Sequence, residues 1–402
     1  MTVTLYRTFF SVGFRPFYLG AAAFACLAVP LWLVIALGLS PAGGKPGAAI
    51  DLNWHIHEML FGFAPAVIAG FLLTAVRAWT GRPTPSGTAL ALLFGLWAAA
   101  RIALLVPVPN ESNAALFIAL LDASFLPALA LSIAIPLWQS RNYRNAFVLV
   151  ILALLTVANL VFHARRLGID NPLHALNPIT VGLDVVGLLM IVIGGRVIPA
   201  FSANAVAGLQ PRRWLLLEVL AIGAAVLITL IDLMAPFADS GPSHLYTGLL
   251  WLAGVTQSLR LLAWQPWRTH QNLLLLALPL AYAWIPVHFL LRAALGGAPG
   301  QLPMLSVHAL VVGAMAALML AMMTRSALGH TGRALRAGVA EGICFAAIHC
   351  AAVFRVAGPL LAPQGYQLWI TLAGIGWTVA FASFVIAYAP MLMRPRIDHN
   401  SR

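Results

Sequence analysis

Apolar stretches of bilayer-crossing length alternate along the chain with short polar or Gly/Pro-rich breaks. A hydrocarbon core of roughly 30 Å takes about 20 apolar residues of helix. The stretches that meet this are Phe17–Leu39, Trp54–Val76, Thr88–Val106, Ala114–Leu137, Ala146–Leu167, His174–Pro199, Trp214–Ala235, His244–Trp264, Asn272–Leu291, Pro303–Met323, Gly338–Gly358 and Tyr366–Met391. The pattern predicts an all-α polytopic membrane protein with about 12 transmembrane helices. Breaks fall at clusters such as Pro41-Ala42-Gly43-Gly44-Lys45, Gly81-Arg82-Pro83 and Gly296-Gly297-Ala298-Pro299, and none is long enough for a domain outside the membrane. Residues 1–402 therefore read as a single integral membrane domain. The first stretch is too long for the core of a secretion signal and has no A-x-A cleavage site, so it is expected to remain as a helix.

Composition removes the soluble alternatives. Hydrophobic residues make up 61% of the chain and charged residues 8%, against roughly 25% charged in a soluble domain. The net charge of +12 is no nucleic-acid footprint, because the arginines lie scattered between apolar runs. The expected surroundings are the lipid bilayer. Cys26, Cys344 and Cys350 all sit in apolar runs, so neither a disulfide framework nor a C-x-x-C-H haem attachment is predicted. Counting cations by loop, 17 of the 23 fall on the side that holds both termini, against Lys45, Arg101, Arg165, Arg166, Arg292 and Arg355 on the other. By the positive-inside rule both termini are cytoplasmic.

The second and tenth stretches align without gaps. His57 is followed by Gly62 and by Thr80-Gly81-Arg82; His308 is followed at the same spacings by Gly313 and Thr331-Gly332-Arg333. His174 heads the sixth stretch, followed by Thr180-Val181-Gly182 and Arg196, with a shift of about three residues. Stretches two, six and ten run in the same direction. They predict three parallel four-helix pseudo-repeats, bounded at 1–140, 141–268 and 269–402.

With this orientation, His55, His57, His174 and His308 lie near the outer face, and His163 and His288 close stretches that also end there. Arg101 and Arg355 lie at about the same depth. Ionisable groups inside a membrane are costly and become functional candidates. A plane of imidazoles with buried arginines offers nitrogen ligands for copper or haem iron and guanidinium for haem propionates. A histidine at a helix end is ordinarily solvated or bonded to a loop, which is the plainer reading of His163, His174 and His288. His55 and His57 are two residues apart, about 200° on a helix, so they face opposite directions unless the segment is unwound. His349, deep in the eleventh stretch, is either a ligand or hydrogen-bonded to another helix. Asp184 can carry protons or pair with an arginine, and pairing is favoured. Met315, Met319 and Met322 share a face with His308 and read as packing before they read as copper ligands.

The string Trp54-His55-Ile56-His57-Glu58-Met59-Leu60-Phe61-Gly62-Phe63, preceded by Gly13-Phe14-Arg15-Pro16-Phe17, resembles the NnrS family. So do Ile68-Ala69-Gly70-Phe71-Leu72-Leu73-Thr74-Ala75, Gly195-Arg196-Val197-Ile198-Pro199-Ala200-Phe201 and Arg325-Ser326-Ala327-Leu328-Gly329-His330-Thr331-Gly332-Arg333. Arg77 departs from the uncharged residue expected there. The resemblance spans essentially the whole chain. It implies a haem- and copper-containing protein of the bacterial inner membrane, acting in the nitric oxide response beside denitrification. The expected function is binding nitric oxide, with reduction to nitrous oxide as its enzymatic form. The repeat and the shared depth, not the resemblance, assign His57 and His308 to haem b, with His349 as a further candidate and Arg101 and Arg355 facing the propionates. His55, His174, His163 and His288 hold copper or a second iron, with His57 and His308 also counted among the metal ligands. Glu58 and Asp184 are the candidate proton relay, although Glu58 equally suits a hydrogen bond to a ligand imidazole. Electrons would come from quinol or a periplasmic donor. Haem-copper oxidases, which take metal-binding histidines from the same spans, offer a fold-level analogy. The competing readings are a transporter or metal/haem exporter, and an accessory protein of the same response without activity of its own.

Overall fold

The computed structural model describes residues 3–39, 50–170, 172–173, 175–234 and 244–397. Among these it is helical without strands. After a short amphipathic start, Val3–Phe9, the chain runs through α1 (Phe14–Ala36), α2 (Leu52–Thr80), α3 (Thr88–Ala103), α4 (Asn113–Gln139), α5 (Tyr143–Arg166) and α6 (Pro178–Ala205). It continues through α7 (Leu215–Met234), α8 (His244–Ala263), α9 (Leu273–Leu295), α10 (Pro303–His330), α11 (Val339–Leu361) and α12 (Tyr366–Met393). Ten of these rods are long and apolar enough to cross a membrane; α3 is apolar but only 16 residues long, and α8 is more polar.

A bilayer offers no water to the free backbone groups at helix ends, so the ends carry their own caps. Asp51 accepts from the Trp54 amide at 2.7 Å, Ser112 caps α4, and Asn177 caps α6 with Pro178 in the first turn. At the other end of the chain, Arg15 donates to the Leu392 and Arg394 carbonyls at 2.6 and 2.7 Å, closing the last turn of α12. Two rods break where proline predicts it. Pro127 and Pro286 remove the bond to the residue four back, and α4 and α9 kink at Ser124 and Ala283.

The helices pack as two compact units. One holds Met1–His174, Arg325–Ala334 and Phe381–Arg402; the other holds Ala175–Thr324 and Leu335–Ala380. The first has an aromatic core, with the rings of Phe17 and Phe125 5.7 Å apart and those of Phe63 and Phe381 5.3 Å apart. The second is aliphatic around Leu274, Leu278, Ile285 and Leu310, with Gly254 admitting Leu290 against the backbone of α8. The pseudo-repeats concern internal symmetry, on which this division of packing does not bear.

Both α2 and α10 change pitch after their histidine. Glu58–Phe63 and Ala309–Ala316 are π-helical turns, each containing the glycine of the aligned motif. In α2 the proline at 65 has no N–H to return to Phe61, so the wider turn costs little there. The carbonyl of Gly62 is instead taken by the Trp97 indole at 2.9 Å.

Candidate functional site

Four helices of the first unit converge on one carboxylate. Asp122, two residues before the kink of α4, accepts at Oδ2 from Nε2 of His57 on α2 at 3.1 Å and Nε2 of His163 on α5 at 2.9 Å. The Asn159 amide on α5 donates to the same oxygen at 2.8 Å, and its own Oδ1 lies 3.0 Å from His57 Nε2. The other oxygen, Oδ1, pairs with the Arg101 guanidinium on α3. Arg101 also donates to Glu58 Oε2 at 2.9 Å, and Glu58 Oε1 accepts from His57 Nδ1 at 3.1 Å. All six residues are buried, none more than 5% exposed. Phe61 and Phe162 wall the imidazole of His57, with ring centroids 5.5 and 5.0 Å away.

Gly62 makes the approach of Arg101 feasible. A methyl group there would land on the guanidinium and crowd Glu58 Oε2. The wide turn of α2 therefore serves the cluster twice: it carries His57 and Glu58, and it leaves a gap for the arginine.

The charges and protons of this cluster can be counted. Glu58 and Asp122 supply two negative charges, Arg101 one positive. Both nitrogens of His57 face carboxylate oxygens, so one proton shared between the imidazole and those carboxylates satisfies every partner. In that form the cluster is neutral, as burial demands. The same atoms suit a cation in place of that proton. His57 Nε2, His163 Nε2 and Asp122 Oδ2 lie within 4.8 Å of one another, and theirs is the group of three metal-capable side chains among the described residues. Ligands about 2.0–2.1 Å from one ion stand roughly 3 Å apart, which is the spacing of Asp122 from each imidazole. Two imidazoles and one carboxylate form the facial set used for non-haem iron, and imidazole also suits copper. The Glu58 carboxylate on Nδ1 is the outer partner that points Nε2 of a metal-bound histidine at its ion. The set fits a bare ion. It does not fit the axial face of a haem, because the groups around His57 Nε2 already converge at contact distance and the cavity beside His163 holds about 10 Å³.

The remaining sequence candidates are not in this cluster. His55 turns away from His57 and stacks on Trp32, centroids 4.0 Å apart. His174 lies outside the described residues. In the second unit, His288 Nδ1 donates to the Ser306 carbonyl at 2.7 Å and His308 Nδ1 to the Met304 carbonyl at 2.7 Å. His349 accepts from the Trp284 indole at 3.3 Å, while its Nε2 is buried without a partner among the described residues. Arg355 reaches Tyr366 at 3.2 Å, and Asp184 pairs with Arg292 at 2.8 Å. Asp122 and Asn159 were not singled out from the sequence. The signal that finds them is a lone acid and a lone amide within otherwise apolar stretches. Comparison with known families matches residues 8–396 to the family described as "NnrS protein". No curated protein matches the chain.

Proposed function

We propose, for a chain that belongs to the NnrS family, a membrane protein of the nitric oxide response that binds one iron or copper ion at His57, His163 and Asp122 and takes up nitric oxide there. The observation that carries the reading is the convergence of two imidazoles on one buried carboxylate, with Glu58 behind His57. Such an ion supplies coordination positions beyond its three protein ligands. Around it, this chain's own residues do three things. Glu58 and Asp122 orient the imidazoles. Arg101 offsets the second carboxylate, so a monovalent ion leaves the cluster neutral and a divalent one leaves it a single positive charge. Phe61 and Phe162 keep the imidazoles dry, in surroundings that suit a small neutral gas.

Reduction belongs to the same proposal as its finer form. Two NO, two electrons and two protons give nitrous oxide and water, with quinol or a periplasmic protein as the electron donor. Haem b rests on the family alone. His308 and His349 remain its candidate axial ligands, and no step is routed through it. The inner membrane, with the metal-capable cluster toward the periplasm, follows from the distribution of arginines and stands as part of the proposal.

The test is metal analysis and NO-difference spectroscopy of the detergent-purified protein, beside His57→Ala, His163→Ala and His308→Ala. The expected result is about one iron or copper per chain, lost in the first two variants and kept in the third, with a spectrum that responds to NO. Metal content that survives His57→Ala and His163→Ala together would overturn the assignment. Protein free of metal and indifferent to NO would return the transporter reading to first place.

A further inference from the structure

The second unit builds another charged cluster, which the metal reading does not use. Arg292 near the end of α9 donates to Asp184 Oδ1 on α6 at 2.8 Å and to Asp232 Oδ2 on α7 at 2.7 Å. Tyr246 on α8 lies 2.9 Å from both Asp232 oxygens, and its ring lies 5.7 Å from the Arg292 guanidinium carbon. Asp184 is the most enclosed of the four, with its side chain 5% exposed. Its second oxygen, Oδ2, is buried and has no hydrogen-bond partner among the described residues. That is an expensive position for a carboxylate oxygen.

Two further observations say what belongs there. Asp184 and His288 line one small cavity, closed by Gly187, Thr229, Phe289 and Leu310, with a volume of about 10 Å³. That is about the room one water needs. The Nδ1 of His288 is committed to the Ser306 carbonyl, so the neutral imidazole offers Nε2 as an acceptor. Charge also has to balance. Asp184 and Asp232 carry two negative charges and Arg292 one positive, and a single proton completes the sum. A metal ion is the poorer candidate, because the guanidinium already donates to both carboxylates. These residues also do not form a metal-spaced group of three.

We propose that Asp184 and Asp232, bridged by Arg292, form a proton-binding site that holds one exchangeable proton, with the cavity between Asp184 and His288 as its route of exchange. The groups facing the carboxylates are Arg292 and His288 from α9, Tyr246 from α8, and each carboxylate from the other's helix. This site shares no residue with the metal-capable cluster, so it stands or falls on its own.

The test is infrared difference spectroscopy on the full-length protein in lipid nanodiscs, in H₂O and in D₂O at neutral pH. Wild-type protein is expected to show the carbonyl stretch of a protonated carboxyl, shifted by D₂O. Asp184→Asn and Asp232→Asn are each expected to lose it, because one remaining carboxylate already balances Arg292. Glu218→Gln, in a carboxylate–arginine pair elsewhere in the same unit, should keep it. The wild-type exchange measurement needs no variant to fold. Absence of an exchangeable protonated carboxyl in wild type, or a band unchanged in both Asn variants, overturns the proposal.

Discussion

Arg101 in one unit and Arg292 in the other are held in the same way, each between two carboxylates drawn from two other helices. The neighbours of those carboxylates differ. Around Arg101 they are two imidazoles and an amide, all within hydrogen-bond reach of Asp122; around Arg292 they are a phenol in contact with Asp232 and one imidazole, His288, set across a small cavity from Asp184. A third arginine, Arg260, lies against a single acid, Glu218, and is completed by the Tyr282 hydroxyl and the Ile191 carbonyl. Charge count alone therefore does not decide what such a cluster takes. Two acids against one arginine leave room for one positive charge; two imidazoles at ligand spacing on one carboxylate make that charge exchangeable for a metal, and a single imidazole held off across a cavity leaves a proton. Glu218 is already met by Arg260 and, at 3.5 Å, by Arg213, so it leaves room for neither, and the Arg260 pair joins helices.

Several substitutions separate these cases. The largest effect is expected from Asp122→Ala, which removes the acceptor shared by four side chains. A broken buried ion network costs about 3–5 kcal/mol, so thermal unfolding in detergent should move down strongly and bound metal should fall to background. Next comes the glycine pair. Gly62→Ala and Gly313→Ala both force a methyl group into an occupied place, against Arg101 in one case and the Trp284 ring in the other. Each should cost about 1–3 kcal/mol, yet only Gly62→Ala should lower metal content, as read by elemental analysis at matched yield. Metal binding should also release protons, since His57 must give one up. Apparent affinity is then expected to fall as the solution is acidified, with about one proton released per ion in an unbuffered titration. The smallest effect belongs to Arg355→Gln. It gives up one hydrogen bond and a cation–π contact with Tyr366, worth about 1 kcal/mol, and should leave metal content unchanged.

The rods were legible because an apolar run of some 20 residues has few other fates. The kinks were less legible: Pro127 and Pro286 follow breaks, whereas Pro30, Pro136, Pro199 and Pro359 lie where the helix runs on unbroken. The site was legible only in part. His57, Glu58, Arg101 and His163 stood out as ionisable groups at one depth of the membrane, and each enters the cluster. Asp122 did not, because a single acid inside an apolar helix carries no spacing or motif that sets it apart from a helix-joining pair. Which acid meets which base is set by how α2 to α5 pack, across 21 to 65 residues of sequence for the contacts of Asp122 with Arg101, His163 and His57. No local pattern encodes that. The gapless alignment of His57 with His308 marks a real likeness in local geometry, since both precede a π-helical turn. It did not foretell chemistry: His57 enters a network of side chains, while His308 Nδ1 bonds back to a carbonyl of its own helix.

The wide turn over Glu58–Phe63 also has a hereditary side. A π turn holds one residue more than an α-helix needs for the same rise, and each residue of an α-helix turns the chain by about 100°. Loss of a single codon within this stretch would let α2 wind evenly from end to end and still cross the bilayer. Because the wide turn already absorbs its extra residue, His57 ahead of the deletion and the helix behind it would keep their faces, and the change would fall on Glu58 and Gly62 within the turn. The gap at Gly62 that admits Arg101 would be lost, and the protein would insert and fold with His57 in place but without the arginine that balances its carboxylates.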